Sequence, residues 1–244
     1  MKKKILSPFQ NGTYLAFDTS TEFGSVCVLR NRVILDSVCF SGRGRHSADL
    51  LSKIEEVISR QGLIISDIEG ILVGEGPGSF TGVRVAAATA KGLCHSLEIP
   101  LWAISSLRAG AMSVKEEGMT KQSVTKCILF DARGNRVYAA SYRAMSSGGL
   151  ETIMAPHSTT IEGILSHCEF PTVFAGDGAQ RHSDQIREAG FEVADSLTGM
   201  PSAKSLCLAV KEAENDFRIN DISAWEPQYL RVSSAERLRN EMDD

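Results

Sequence analysis

The spacing of apolar residues switches repeatedly between a period of two and a period of three to four. TYLAF, at 13–17, is an apolar, β-rich run and predicts a strand. DTSTEFG then supplies turn residues, SVCVL alternates with period two, and RVILDSVCF at 32–40 predicts a third strand. Beyond the SGRGR loop, Ser47 or Asp49 opens a helix that runs to about Gln61. Leu50, Leu51, Ile54, Val57 and Ile58 fall at helical spacing there, and Gly62 stops the helix. IEGILVGEG reads as a strand entering a glycine-rich loop, and a second helix follows over 82–97. Pro100 introduces the strand LWAIS, and a helix around 106–116 comes next.

After a polar stretch at 118–125 the opening pattern returns. LAFDTSTEFGSVCVLR at 15–30 is echoed by ILFDARGNRVYAASYR at 128–143. Each is an apolar strand ending in Phe-Asp, a small polar turn, and an alternating strand ending in Arg. Two such units predict a duplicated lobe. The division expected is an N-terminal extension at 1–12, one lobe at 13–121 and a second at 122–244. TVFAGDGA is a strand into a Gly-Asp-Gly turn, and helices are expected near 181–189 and 202–214, before a tail carrying WEPQYLR. Strands alternating with helices make the chain an α/β protein.

Bulk properties narrow the function. A chain of 244 residues can bury one large core or two smaller ones. No segment approaches the roughly 20 apolar residues that a bilayer crossing needs. The opening MKKKILSPFQNG lacks the apolar region of about 7–15 residues found in a secretory signal, so a cytoplasmic location is expected. Six scattered cysteines without a C-x-x-C pair fit buried thiols better than a disulfide scaffold or a zinc site. The net charge of −4 is uneven: 1–121 holds 14 Lys+Arg against 12 Asp+Glu, and the remainder 12 against 18. A protein gripping tRNA phosphates alone usually carries a basic stripe, so any tRNA contact is expected mainly through a complex.

Three loops have the composition of phosphate sites. Asp18, Thr19 and Ser20 end a strand, Gly76, Pro77, Gly78 and Ser79 precede a helix, and Gly176, Asp177 and Gly178 follow a strand. A carboxylate beside hydroxyls can hold hydrated magnesium, and glycines at a helix start let a phosphate approach free N–H groups. Turn geometry alone explains the same residues. No G-K-[ST] follows the glycines, so the second loop is not a Walker loop. Neither H-E-x-x-H nor G-x-S-x-G occurs.

The helix at 82–97 is the most informative element. Val83, Ala86, Ala87, Ala90, Leu93, Cys94 and Leu97 form one apolar stripe. Val85, Ala88, Thr89, Gly92 and Ser96 form a second face that is small and uncharged, flanked by Arg84, Lys91 and His95. A helix apolar or small nearly all round is generally buried all round. Either the chain's own helix at 47–61 covers the small face, or both helices form a platform for a partner. The second reading is favoured, with His46, Leu50, Lys53, Ile54 and Val57 contributing from the first helix.

Asp-Thr-Ser-Thr at a strand end, His46-Ser47 opening a helix, GEGPGSFTGVRVAAATAKGL and IPLWAISSL together resemble the TsaB (YeaZ-like) family. FDARGNRVYAASY, AGDGA and EPQYLR continue the likeness in the same order, over roughly residues 14–231. The resemblance implies an actin-like ATPase (ribonuclease H-like) fold with two duplicated lobes. It also implies a non-catalytic dimerisation subunit in the synthesis of threonylcarbamoyladenosine beside the anticodon of tRNA. Its partners would be a TsaD-type catalytic paralogue, contacted through the first two helices, and a TsaE-type ATPase. The paralogue's metal-binding H-x-x-x-H would fall at Ser106 and Gly110, which cannot replace imidazoles. No cofactor is expected on this chain alone, and a nucleotide at the interface with the partner is left open. A homodimer through the same helices is expected in isolation. The rival readings are a small-molecule kinase or ATPase of the same fold, and a peptidase.

Overall fold

In the computed structural model, residues 12–41, 46–114, 124–146, 149–196, 198–212 and 216–230 are described. Residues 1–11 of the extension expected at 1–12, and the lobe boundary expected near 121, lie outside them. β1 (Thr13–Asp18), β2 (Phe23–Arg30), β3 (Val33–Ser41), α1 (His46–Arg60), β4 (Gly70–Gly74), α2 (Phe80–Leu97), β5 (Leu101–Ile104) and α3 (Ser106–Ser113) come first. β6 (Thr125–Asp131), β7 (Arg136–Ala144), β8 (Leu150–Thr160), α4 (Ile161–His167) and β9 (Thr172–Ala175) follow. The last are α5 (Asp177–Arg181), α6 (Ser183–Glu188), β10 (Glu192–Val193) and α7 (Ala203–Glu212).

The first sheet runs β3-β2-β1-β4-β5 and the second β8-β7-β6-β9-β10. Each has an antiparallel three-strand meander joined to parallel strands, in the same sequence order. The hairpin echo is therefore one part of a complete βββαβαβα duplication, the two-lobed actin-like architecture.

Alternation along the strands divides each sheet between two cores. In β1, Leu15 and Phe17 face α1 and α2, while Tyr14 and Ala16 face α7. In β6, Ile128 and Phe130 face α3, while Cys127 and Leu129 face α4, α5 and α6. The third helix of each repeat is thus exchanged: α3 covers the second sheet and α7 the first. Sequence neighbours did not predict this.

The helix expected near 181–189 is α6, and α5, a short helix in place of the expected Gly-Asp-Gly turn, precedes it across His182, whose φ of −107° and ψ of 23° leave helical geometry. β8 and α4 were not anticipated. β8 is a polar edge strand with Pro156 inside it, and a proline can sit at an edge without breaking a ladder. The tail is also structured. Ala103 N–H donates to Phe217 O (3.0 Å) and Ile219 N–H to Leu101 O (2.9 Å), capping the free edge of β5. Among the described residues, no helix is long and apolar enough to cross a membrane.

Candidate functional site

The first two candidate phosphate loops meet and close on each other. Asp18 is fully buried at the end of β1. Its Oδ1 accepts from Ser20 N–H (2.7 Å) and Ser20 Oγ (2.6 Å), and its Oδ2 accepts from Ser106 Oγ (2.6 Å). Thr19 Oγ1 donates to Gly82 O (2.7 Å), and Ser79 N–H donates to Ser20 O (2.6 Å). Ser79 caps α2, its Oγ accepting from Gly82 N–H. A Cβ at Gly78 would lie 2.1 Å from Ser20 O, and one at Gly82 would lie 1.9 Å from Thr19 O. These glycines therefore admit the close approach of the neighbouring backbone. Gly76 donates its N–H to Ser106 Oγ (3.2 Å) and precedes Pro77 across a cis bond.

The third loop stands apart, in the second lobe. Gly176, at φ +98°, and Gly178 press against the Leu129 backbone. Asp177 Oδ1 accepts from Asp131 N–H (3.1 Å) and Gly178 N–H (2.8 Å). Burial raises its pKa above the ordinary carboxylate value, and those backbone bonds offset part of the shift. Glu75, beside the second loop, is raised for the same reason, partly countered by a hydrogen bond with Trp225.

The two positions aligned with metal-binding histidines are both filled. Ser106 is buried against Asp18. A Cβ at Gly110 would lie 2.3 Å from Gly199 O, leaving no room for an imidazole without a backbone shift. Among the described residues, no three His, Cys, Asp or Glu side chains gather to hold a metal.

The helix face is a different kind of site. Val83, Ala86, Ala87, Ala90 and Cys94 of α2 are buried, as the apolar stripe predicted. Ala88, Gly92 and Ser96 are exposed, with Val85 and Thr89 half-buried at their flank. A Cβ at Gly92 would meet nothing within 4 Å. α1 leaves these exposed positions uncovered. His95 is exposed beside them.

The α1 residues expected on this platform need correction. Leu50, Ile54 and Val57 belong to the chain's own core with Leu15, Phe17 and Ala86, so they offer nothing to a partner. The sequence periodicity was right but the face was assigned outward; the open side of α1 instead shows Leu51, 56% exposed, with Ser52 and Glu55. Lys53 is half-buried and paired with Glu56 (Nζ–Oε2 2.6 Å). The side chain of His46 lies outside the described residues.

The cationic rim is also partly engaged. Lys91 Nζ donates to Ser223 O (3.0 Å) and lies 5.9 Å from the Trp225 ring. The Arg84 guanidinium sits 3.5 Å over the Phe80 ring, and its Nε donates to Tyr229 Oη (3.3 Å). The tail from 216 to 230 thus runs along α2 and buttresses it, with Trp225 in the first core and Gln228 N–H donating to Glu75 O (2.9 Å). Sequence reading saw this tail only as a motif; its signal was Trp225 and Tyr229 spaced within polar residues.

A family profile described as "TsaD: tRNA N6-adenosine threonylcarbamoyltransferase" matches residues 42–237. The chain is 28% identical over 232 residues to the tRNA threonylcarbamoyladenosine biosynthesis protein TsaB of Bacillus subtilis, covering 92% of this chain and 96% of that protein. Its identity to the Escherichia coli protein of the same name is 27% over 225 residues, covering 91% and 95%. Among solved structures, YeaZ from Pseudomonas aeruginosa superposes with a TM-score of 0.71 at 26% identity, covering 90% of this chain and all of that one. A second Pseudomonas aeruginosa structure, described as an uncharacterized protein similar to peptidase YEAZ, gives 0.73 at 27%, with the same coverage.

Proposed function

The chain belongs to the TsaB (YeaZ-like) family, with a role in threonylcarbamoyladenosine biosynthesis on tRNA, and on that premise we propose that it is a non-catalytic scaffold. It holds a TsaD-type catalytic paralogue by helix packing and takes part with a TsaE-type ATPase in a cytoplasmic complex that carries the tRNA. The observation that carries this reading is the bare face of α2. Ala88, Gly92 and Ser96 are exposed along a helix otherwise built into the core, and space over Gly92 is open. Small residues let a second helix approach at the short end of the usual ~8–10 Å spacing. A few well-packed anchors in such a contact carry most of its binding energy.

The loop geometry supports a supporting role over a kinase or ATPase one. Asp18 is fully buried and already accepts from the Ser20 and Ser106 hydroxyls, so a magnesium ion could reach it only if the loops that cover it moved. Coupling to the paralogue then acts through differential contact with its states rather than through shared chemistry.

The test is reconstitution. The paralogue, the ATPase and a threonylcarbamoyl-adenylate synthase are mixed with tRNA, threonine, bicarbonate and ATP. Modified adenosine is scored without this chain, with it, and with Gly92→Arg. Modification that needs the wild-type chain and fails with the folded Gly92→Arg chain is the expected result. Equal modification without the chain would sink the scaffold reading.

A further inference from the structure

Two pairs of cysteine sulfurs approach each other within the cores. Cys27 on β2 lies 4.0 Å from Cys207 on α7, and both are buried. Cys127 on β6 lies 4.0 Å from Cys168, the residue that ends α4. Only Cys168 among these four is partly open to solvent. Cys39 is exposed on β3, and Cys94 is buried, its thiol pKa pushed up to about 12 by that burial.

We propose that Cys127 and Cys168 form a redox modification site, at which a low-molecular-weight disulfide converts the two thiols into an intramolecular disulfide. The arrangement is that of an accessible attacking cysteine beside a shielded resolving one. Cys168 thiolate attacks one sulfur of the small disulfide, forming a mixed disulfide and releasing a small thiolate. Cys127, losing its proton to solvent, attacks the Cys168 sulfur and expels the second small thiolate. The protein loses two electrons and two protons, and the reagent becomes two thiols.

The electrostatics favour that order of attack. The Cys127 thiol can donate to a Cys168 thiolate, which lowers the Cys168 pKa, while burial holds Cys127 well above the ordinary value. Closure requires the sulfurs to move from 4.0 Å to about 2.05 Å. The Cys27–Cys207 pair has the same separation but no accessible member, so it serves as an internal control for access against proximity. The site sits in the second lobe and does not depend on the scaffold reading.

The full chain would be incubated folded with oxidised glutathione and mapped by non-reducing peptide mass spectrometry. The expected result is a Cys127–Cys168 cross-link, with Cys27 and Cys207 still reduced and Cys39 carrying only a glutathione adduct. In a Cys127→Ala chain, shown to be folded by circular dichroism, glutathione should remain on Cys168. In Cys168→Ser, Cys127 should stay reduced. A wild-type chain that keeps glutathione on Cys168, leaves Cys168 unreacted while Cys39 is modified, or cross-links Cys27–Cys207 equally fast overturns the proposal.

Discussion

The two lobes share a sheet topology, yet they treat the same stations differently. At the end of β1, Asp18 is sealed by Ser20 and Ser106 hydroxyls. At the end of β6, Asp131 is partly exposed, pairing its Oδ2 with Arg181 (2.7 Å) while Oδ1 accepts from Arg133 N–H (2.8 Å). After β4 comes α2, 18 residues long; after β9 come α5 and α6, of 5 and 6 residues. A long helix presents several turns to an outside partner, and a broken one does not. The duplication therefore kept the sheets, whose ladders constrain every residue, and diverged in the helices and loops that cover them. Among the described residues, α2 of the first lobe presents the exposed small positions Ala88, Gly92 and Ser96.

That contrast can be broken at several depths. The largest effect is expected in α1, where one helix carries a core leucine and an exposed one side by side. Leu50→Ala should destabilise the chain by about 2–5 kcal/mol, whereas Leu51→Ala should stay within about 0.5 kcal/mol, in urea unfolding. Comparable losses at both positions would mean that α1 is covered on its outer side too.

The next contrast is between the equivalent aspartates. Asp18→Ala strands buried hydroxyls on Ser20 and Ser106 and should cost roughly 3 kcal/mol. Asp131→Ala breaks a half-exposed ion pair and should cost about 1 kcal/mol or less. Equal costs would show that the second lobe's loop is as tightly locked as the first.

Acid stability probes Glu75, just after β4, and Asp177, two residues after β9. Burial raises both folded-state pKa values above the unfolded ones. Each then favours the fold most below its unfolded pKa, and that contribution is lost as pH rises through its folded pKa. Glu75→Gln and Asp177→Asn, which keep an acceptor oxygen, should therefore gain stability relative to wild type on going from acid to neutral pH. The difference, followed by denaturant midpoints across pH, should shrink again in acid. A constant difference across pH would remove the titration as its cause.

The smallest effect is the most diagnostic for docking. Gly92 sits in an exposed helix interior with open space around it, so Gly92→Ala should stabilise the isolated chain by about 0.5–1 kcal/mol. The same change should weaken capture of the paralogue in a pull-down or calorimetric titration, if a close helix contact uses that position. A gain in stability with unaltered binding would place the contact elsewhere on α2.

Much of the architecture was legible because its signals are local. The Phe-Asp hairpins at 17–18 and 130–131, the helical spacing of Leu50 through Ile58, and the buried stripe from Val83 to Cys94 all depend on side chains within a few turns or strands. β8 was missed because an edge strand needs no apolar alternation, and α4 because a helix of 7 residues gives little periodicity. α5 was missed for the same reason: five residues opening with Asp-Gly read as a turn.

The candidate sites divide along the same line. The sequence by itself determined the α/β class, the duplicated hairpins, the family resemblance and the small face of α2, since each is written in residue types at short spacing. Only the tertiary structure decided that the Asp18 loop is closed by Ser106, that Leu50, Ile54 and Val57 turn inward, that α3 and α7 exchange sheets, and that Arg84 and Lys91 hold the chain's own tail. Each of those rests on a contact between segments far apart in the chain. Helical periodicity identifies an apolar face but not what covers it, and a carboxylate beside hydroxyls has the same composition whether it waits for an ion or is already satisfied.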